Sequence, residues 1–258
     1  MRGSSRTVSV LIMLPPPVAM PGSPAGWLEA AREVIAQRHR TAFEGLGVAD
    51  VRIVREPYDG RSFGRRLREL AAAIGAGAPH RSPGLVVLGG GAMPLARPED
   101  LQSFVTAAGG RAPRALANSA YSADAIAVSD ARLLLGLPDL PSDNALPRWL
   151  AERAGVPVAD LRDRPRLAFD IDSPVDVLLV ARDPACPAAL AALAREIDTA
   201  APQVGRAMEA VAKTLDSPHS ELVVAGRTSA RTLLWLERNA RCRIRALVEE
   251  REIGRAHV

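Results

Sequence analysis

The chain has 258 residues, 48% of them apolar and 24% charged, with a formal net charge of +4. That balance excludes a disordered chain, and aromatic residues at 3% leave the core to Ala, Leu, Val and Ile. Arg supplies nearly all the positive charge (Lys213 is the only Lys) and is scattered among Asp and Glu with no aromatic-and-basic stripe, so no nucleic-acid partner is expected.

Residues 8–14 (VSVLIML) read as a buried strand, followed by a Pro/Gly loop over 15–26. The run is short and stops at three prolines, which suits a first strand better than a signal peptide. Residues 27–44 have helical periodicity and end near Gly45 and Gly47, and 51–54 form a second strand. Residues 62–74 form a helix with Arg outside and Leu/Ala inside, stopped by Gly75 and Gly77. Residues 85–88 are the clearest central strand and run into Gly89, Gly90 and Gly91. Residues 98–108 make a helix with Glu99 and Asp100 in the first turn, where the helix dipole favours acids. A strand over 125–128, a helix over 144–154 and a short strand over 167–169 follow. Ser173 and Pro174 then supply the N-cap and first position of another helix.

The last third changes character. Residues 185–215 are Ala-rich and helical, and strand 221–225, helix 229–239 and strand 243–248 come after them. Alternating short apolar runs and amphipathic segments predict βαβ units: a three-layer, Rossmann-like α/β fold on a mostly parallel sheet. The expected division is an α/β domain over 1–184 and a small C-terminal α/β extension over 185–258. Cys186 and Cys242 lack CxxC spacing, and no stretch approaches the ~20 apolar residues of a membrane span. The expectation is a soluble cytoplasmic protein with two free thiols and no membrane partner. The four histidines share no metal-ligand spacing, and Trp27, Trp149 and Trp235 fall on amphipathic helices as expected core residues.

LAFDIDSPVD (residues 167–176) carries the strongest chemical signal. Residues two apart on a strand share a side, so Asp170 and Asp172 would face one ion at the ligand-binding end of a parallel sheet. Two close carboxylates suit Mg²⁺, which keeps waters and substrate phosphates as its other ligands. The alternative is one capping Asp and one solvated Asp. A second candidate is the junction ELVVAGRTSARTLLWLE (221–237), where Gly226, Thr228 or Ser229, Arg227 and Arg231 meet a helix start. It reads either as an oxyanion site or, preferably, as an ordinary capped junction.

Asp-Ile-Asp-Ser-Pro-Val-Asp resembles the late DIDTPED segment of MobA-like nucleotidyltransferases, nearest to the 2-phospho-L-lactate or phosphoenolpyruvate guanylyltransferases of deazaflavin-coenzyme biosynthesis. LVVLGGGAMPLARPEDLQSFV (85–105) is similar to that family's strand, Pro-Leu turn and RPEDL helix. EPYDGRSFGRRLRELAAA (56–73), ANSAYSADAIAV (117–128) and PSDNALPRWL (141–150) stand where the family has its Gly-Leu-Asn, Gly-Thr-Asn and Gly-Ser-Phe segments. The likeness spans about residues 8–182. It implies a nucleotidyltransferase-like fold, a nucleoside triphosphate (GTP) and a small phosphorylated or anionic acceptor. It also implies Mg²⁺ on Asp170 and Asp172 as catalytic and metal-binding residues. Asp124, Ser142, Asp143 and Asn144 would orient the acceptor. From the residues themselves, Gly89 to Gly91 read either as a backbone contact to base or ribose or as a plain tight turn, and Arg61, Arg65 and Arg66 as phosphate contacts or, preferably, a solvated helical face. A homo-oligomer is compatible with the likeness.

Three departures accompany the likeness. LPPPVAMPGSPAGW (14–27) puts Pro and no cation where the family cradles the triphosphate, Ala92 stands at an acidic position, and Ser62-Phe63-Gly64 replaces Gly-Leu-Asn. They favour the alternative of a catalytically degenerate relative that binds a nucleotide, metabolite or protein.

Overall fold

A computed structural model describes residues 6–76 and 82–249. Gly77, His80 and His257, and the side chain of Arg227, lie outside the described residues. The chain divides into two compact units, residues 1–197 and 198–258. The sequence placed that division at 184; contacts place it within the helix Ala188–Ala200.

In the first unit, β1 (Val8–Met13), β2 (Asp50–Val54), β3 (Gly84–Gly89), β4 (Ala115–Ala117), β5 (Ala125–Val128) and β6 (Val158–Asp160) form one sheet in the order β2-β1-β3-β5-β4-β6. Five strands run in one direction, and β5 is antiparallel to both β3 and β4. The alternation of strand side chains divides the core into two layers. Val10, Ile12 and Leu14 pack with Val86 and Leu88 beneath α1 (Pro24–Gly45) and α3 (Pro98–Ala108), which contribute Phe43 and Phe104. Leu11, Leu85 and Val87 pack on the opposite face with α2 (Phe63–Ala73) and α4 (Leu146–Glu152), which contribute Leu67 and Leu150. The three-layer, mostly parallel α/β expectation holds.

Local details differ from the sequence reading. Helix α1 starts at Pro24, three residues early, because Ser23 accepts a hydrogen bond from Gly26 N–H at 3.0 Å and Pro24 stands in the first turn. Residues 167–169 are not a strand: Pro165 opens a 3-10 turn over Pro165–Ala168, and only Asp170 bridges, antiparallel to Ala92. Residues 144–154 split into a 3-10 turn (Asp143–Ala145) and α4, which has Pro147 in its first turn. Strands β4 and β6, each three residues long, were unforeseen.

Helix α5 (Pro174–Val180) begins as expected. Ser173 and Asp176 form a capping box in which Asp176 Oδ2 accepts from Ser173 N–H at 2.7 Å. The Ala-rich stretch is two helices, α6 (Ala188–Ala200) and α7 (Pro202–Asp216), since Pro202 cannot continue the hydrogen-bond ladder of α6.

The second unit holds β7 (Glu221–Arg227), α8 (Ala230–Asn239) and β8 (Arg243–Glu249), with the two strands parallel. Ser229 caps α8 by accepting from Thr232 N–H at 3.1 Å, so the ordinary junction is what the structure shows. Trp235 is 56% exposed on α8, against its expected place in a core. No helix of the described residues is long and apolar enough to cross a membrane.

Candidate functional site

The C-terminal ends of β1 and β3 open onto a cavity of about 370 Å³. Met13, Leu88, Ile126 and Leu146 give it an apolar floor, and Tyr58, Phe63, Arg61, Arg66, Asp124 and Asp143 stand around it. Such a crevice is where open α/β sheets bind ligands.

Asp124 reaches this rim because β5 is reversed: it precedes β5, and its carbonyl accepts from Gly89 N–H at 3.0 Å. Asn118, fully buried at the end of β4, fixes it. Asn118 Nδ2 donates to Asp124 Oδ2 at 3.2 Å and to the Leu167 carbonyl at 3.0 Å, while its Oδ1 accepts from Ala125 N–H at 3.2 Å. Asn118 thus ties the β4–β5 hairpin to the segment carrying Asp170. Nothing in the sequence around Asn118 signals this role, because a buried amide with three partners leaves no local pattern.

Asp170 accepts from Ile171 N–H at 2.8 Å, and Ile171 N–H also donates to Gly91 O at 3.2 Å. Burial and then the Asp172 charge raise the Asp170 pKa above the ordinary carboxylate range. Burial likewise raises Asp143, with Asp172 adding to it. Asp124 rises to about 6, chiefly through burial, with Asp170, Asp143 and Asp172 contributing. The charges of Asp170, Asp143 and Asp172, on two other segments, therefore all bear on Asp124 and disfavour its ionisation. Perturbed carboxyls beside a crevice mark a candidate site on physical grounds.

Asp172 differs from its neighbours. Its side chain is 75% exposed and pairs with Arg32 of α1, Nη2 to Oδ1 at 2.9 Å. Arg32 Nε also donates to the Ile171 carbonyl at 2.9 Å.

The expected residues do not all converge. Gly89, Asp124 and Asp143 line the cavity, whereas Asp170, Asp172, Ser142, Asn144, Arg65, Gly90 and Gly91 are not among its lining residues. Gly90 and Gly91 are small for packing. A Cβ on Gly90 would lie 2.7 Å from Leu14 Cδ1, and one on Gly91 would lie 2.9 Å from Asp170 Oδ1. Arg65 is exposed and pairs with Glu69 at 3.1 Å. Arg61 and Arg66 line the cavity, but Arg61 is bound by Asp59, Glu56 and Glu69, and Arg66 by Asp59.

The loop after β1 lines a second cavity of about 620 Å³ together with Trp27, Arg32 and Glu33. Its Val18 and Ala19 N–H groups are both taken by the Glu29 carboxylate, each at 3.0 Å. An internal carboxylate thus sits where backbone donors would otherwise meet an anion.

A divalent cation would find hard oxygen donors at Asp170 and Asp172, whose mutual repulsion it would relieve. Among the described residues no group of three His, Cys, Asp or Glu side chains is placed to hold a metal. A cation there would have at most those two protein carboxylates and would need water or phosphate to complete its shell. Two segments support this arrangement from below: Asp100 binds Arg164 and Arg166 just before Asp170, and His39 Nε2 lies 2.8 Å from the Ala92 carbonyl opposite it.

No protein-family model matches this chain, and no curated protein matches it either. Among solved structures, the chain is similar to a Desulfovibrio desulfuricans G20 protein, provisionally assigned as a nucleotide-diphospho-sugar transferase, whose crystal structure was determined at 1.90 Å. The two share 15% identity with a TM-score of 0.50, over 78% of this chain and 98% of that one. A likeness at that identity speaks to architecture alone, and the architecture is a Rossmann-like, mostly parallel α/β fold.

Proposed function

We propose that this chain is a nucleotidyltransferase-like protein of the MobA-like kind. It would take a nucleoside triphosphate, GTP by resemblance, and a small phosphorylated or anionic acceptor at the sheet end. The observation that carries the reading is the placing of Asp124 and Asp143 on an apolar-floored cavity with two arginines and two aromatic rings, with Asp170 and Asp172 near enough for their charges to act on Asp124. A nucleoside offers an apolar ring face to Tyr58 or Phe63 and hydroxyls to Asp124 and Asp143. Asp170 and Asp172 would hold Mg²⁺, which when bound neutralises phosphate charge at the reacting centre. Asp124 would orient the acceptor, and above about pH 6 its ionised carboxylate accepts hydrogen bonds only.

Titration calorimetry of the full chain with GTP, ATP and CTP, with and without Mg²⁺, tests this. The expected result is saturable, Mg²⁺-dependent binding of at least one triphosphate, weakened tenfold or more in Asp170→Asn. Absence of binding by all three overturns it.

A second reading has its own support. Glu29 fills the donors of the loop after β1, and Ala92 offers no carboxylate, both of which suit a catalytically degenerate binding module. That protein would bind a triphosphate indifferently to Mg²⁺ and to Asp170→Asn, and would release no pyrophosphate with any phosphorylated hydroxy-acid acceptor.

A further inference from the structure

Arg32 is anchored twice on the chain that carries the carboxylate pair. Its Nη2 meets Asp172 Oδ1 and its Nε meets the Ile171 carbonyl, both at 2.9 Å. Two fixed contacts hold the planar guanidinium in one orientation, which a single exposed ion pair does not achieve. Its stem passes through space left by the missing side chain of Gly91, since a Cβ there would lie 3.2 Å from Arg32 Cγ and 2.9 Å from Asp170 Oδ1. The next residue, Ala92, bridges to Asp170 and carries no charge. The arrangement therefore has two carboxylates, Asp170 and Asp172, and a guanidinium supplied from α1 against the outer one.

From this geometry we infer that Arg32 is a built-in counter-ion that stands in the cation's place at Asp172 and sets how tightly the pair takes a divalent metal. The inference rests on the reading of Asp170 and Asp172 as metal ligands. A metal must displace the guanidinium from Asp172 Oδ1 before that oxygen is free. The pair is partly exposed, with side chains 35% and 75% accessible, so the effect is screened and amounts to about fivefold in metal affinity, equivalent to ~1 kcal/mol. Arg32 is a positioning residue here, acting through Asp172.

The test is Mn²⁺ binding to the full chain, read from the electron paramagnetic resonance signal of free Mn²⁺, with no nucleotide present. Arg32→Met is expected to bind Mn²⁺ about fivefold tighter than wild type, and the gain is expected to vanish in Arg32→Met/Asp172→Asn. Arg32→Lys keeps the charge and is expected to stay within about twofold of wild type. Equal affinity in wild type and Arg32→Met, with Asp170→Asn weakening both, overturns the role of Arg32 and leaves the metal reading standing. A gain that survives Asp172→Asn also overturns it. Absence of Mn²⁺ binding in wild type and Arg32→Met alike removes the metal reading and this inference with it.

Discussion

Both carboxylate oxygens of Asp100 are held by Arg166, Oδ2 at 3.0 Å from Nε and Oδ1 at 2.6 Å from Nη2. Asp100 is fully buried in the first turn of α3, and it also accepts from Arg164 at 2.9 Å and from Arg97 N–H at 2.9 Å. One side chain thus caps a helix and pins the 3-10 turn that delivers Asp170. Loss of its charge leaves two part-buried guanidinium groups without their partner. Asp100→Asn is expected to destabilise the protein by about 3 kcal/mol in urea unfolding.

His39 makes stability fall in acid. Burial lowers its folded pKa from 6.5 to about 4. Between those values the unfolded chain binds the proton and the folded chain does not, so the contribution is present above pH 6.5 and is lost as pH drops toward 4. The slope reaches about 1.4 kcal/mol per pH unit. His39→Gln, whose amide can still donate to the Ala92 carbonyl, is expected to flatten this part of the stability profile when unfolding is measured at pH 6.5, 5.5 and 4.5.

Asp124 acts with the opposite sign. Its folded pKa of about 6 lies above the ordinary 3.8, so the folded state takes up the proton first as pH falls. Its stabilising contribution is present below 3.8 and is lost as pH rises through 6. Asp124→Asn is therefore expected to be more stable than wild type by about 1–2 kcal/mol at pH 7.5, after allowance for solvent screening, with the difference gone near pH 4. The same variant is expected to lose ligand binding at the sheet end, a stability gain set against function.

Gly64 stands where α2 begins and lies against the chain at Pro138 and Leu140. A Cβ there would collide with the Pro138 carbonyl and lie 2.5 Å from Leu140 N, and both are backbone atoms that have little room to yield. Gly64→Ala is expected to cost about 2–3 kcal/mol, seen as a lowered thermal midpoint.

The strands whose runs are aliphatic over four or more residues (β1, β3 and β5) were legible, because a strand buried on both faces needs little else. Strand β4, three residues of Ala and Leu, and β6, half exposed, carry too little pattern to stand out. Ser23-Pro24 has the same cap-and-proline signature as Ser173-Pro174, yet three prolines just upstream make the whole stretch read as loop. Asp170 and Asp172 were legible as a spaced acidic pair before a capped helix, whereas Asp124 and Asp143 became candidates only through the family resemblance. The field of the other three at Asp124 was not legible, because it depends on which ends of which strands meet. Arg32 lies 140 residues from Asp172 and Asp100 lies 66 from Arg166, distances over which no local pattern speaks. Asp100 in particular reads locally as a dipole-matched acid, and that reading accounts for only part of what it touches.

The reversal of β5 also bears on how the chain can change. A wholly parallel sheet would need a long crossover to bring another acidic residue to the rim. Here the hairpin turn between Ala117 and Ala125 does so alone, with Asn118 at one foot and Asp124 at the other. Residues added or removed in that turn would shift one acid of the four while β1, β3 and the Asp170 segment kept their places. The rim has, in effect, one separately adjustable wall.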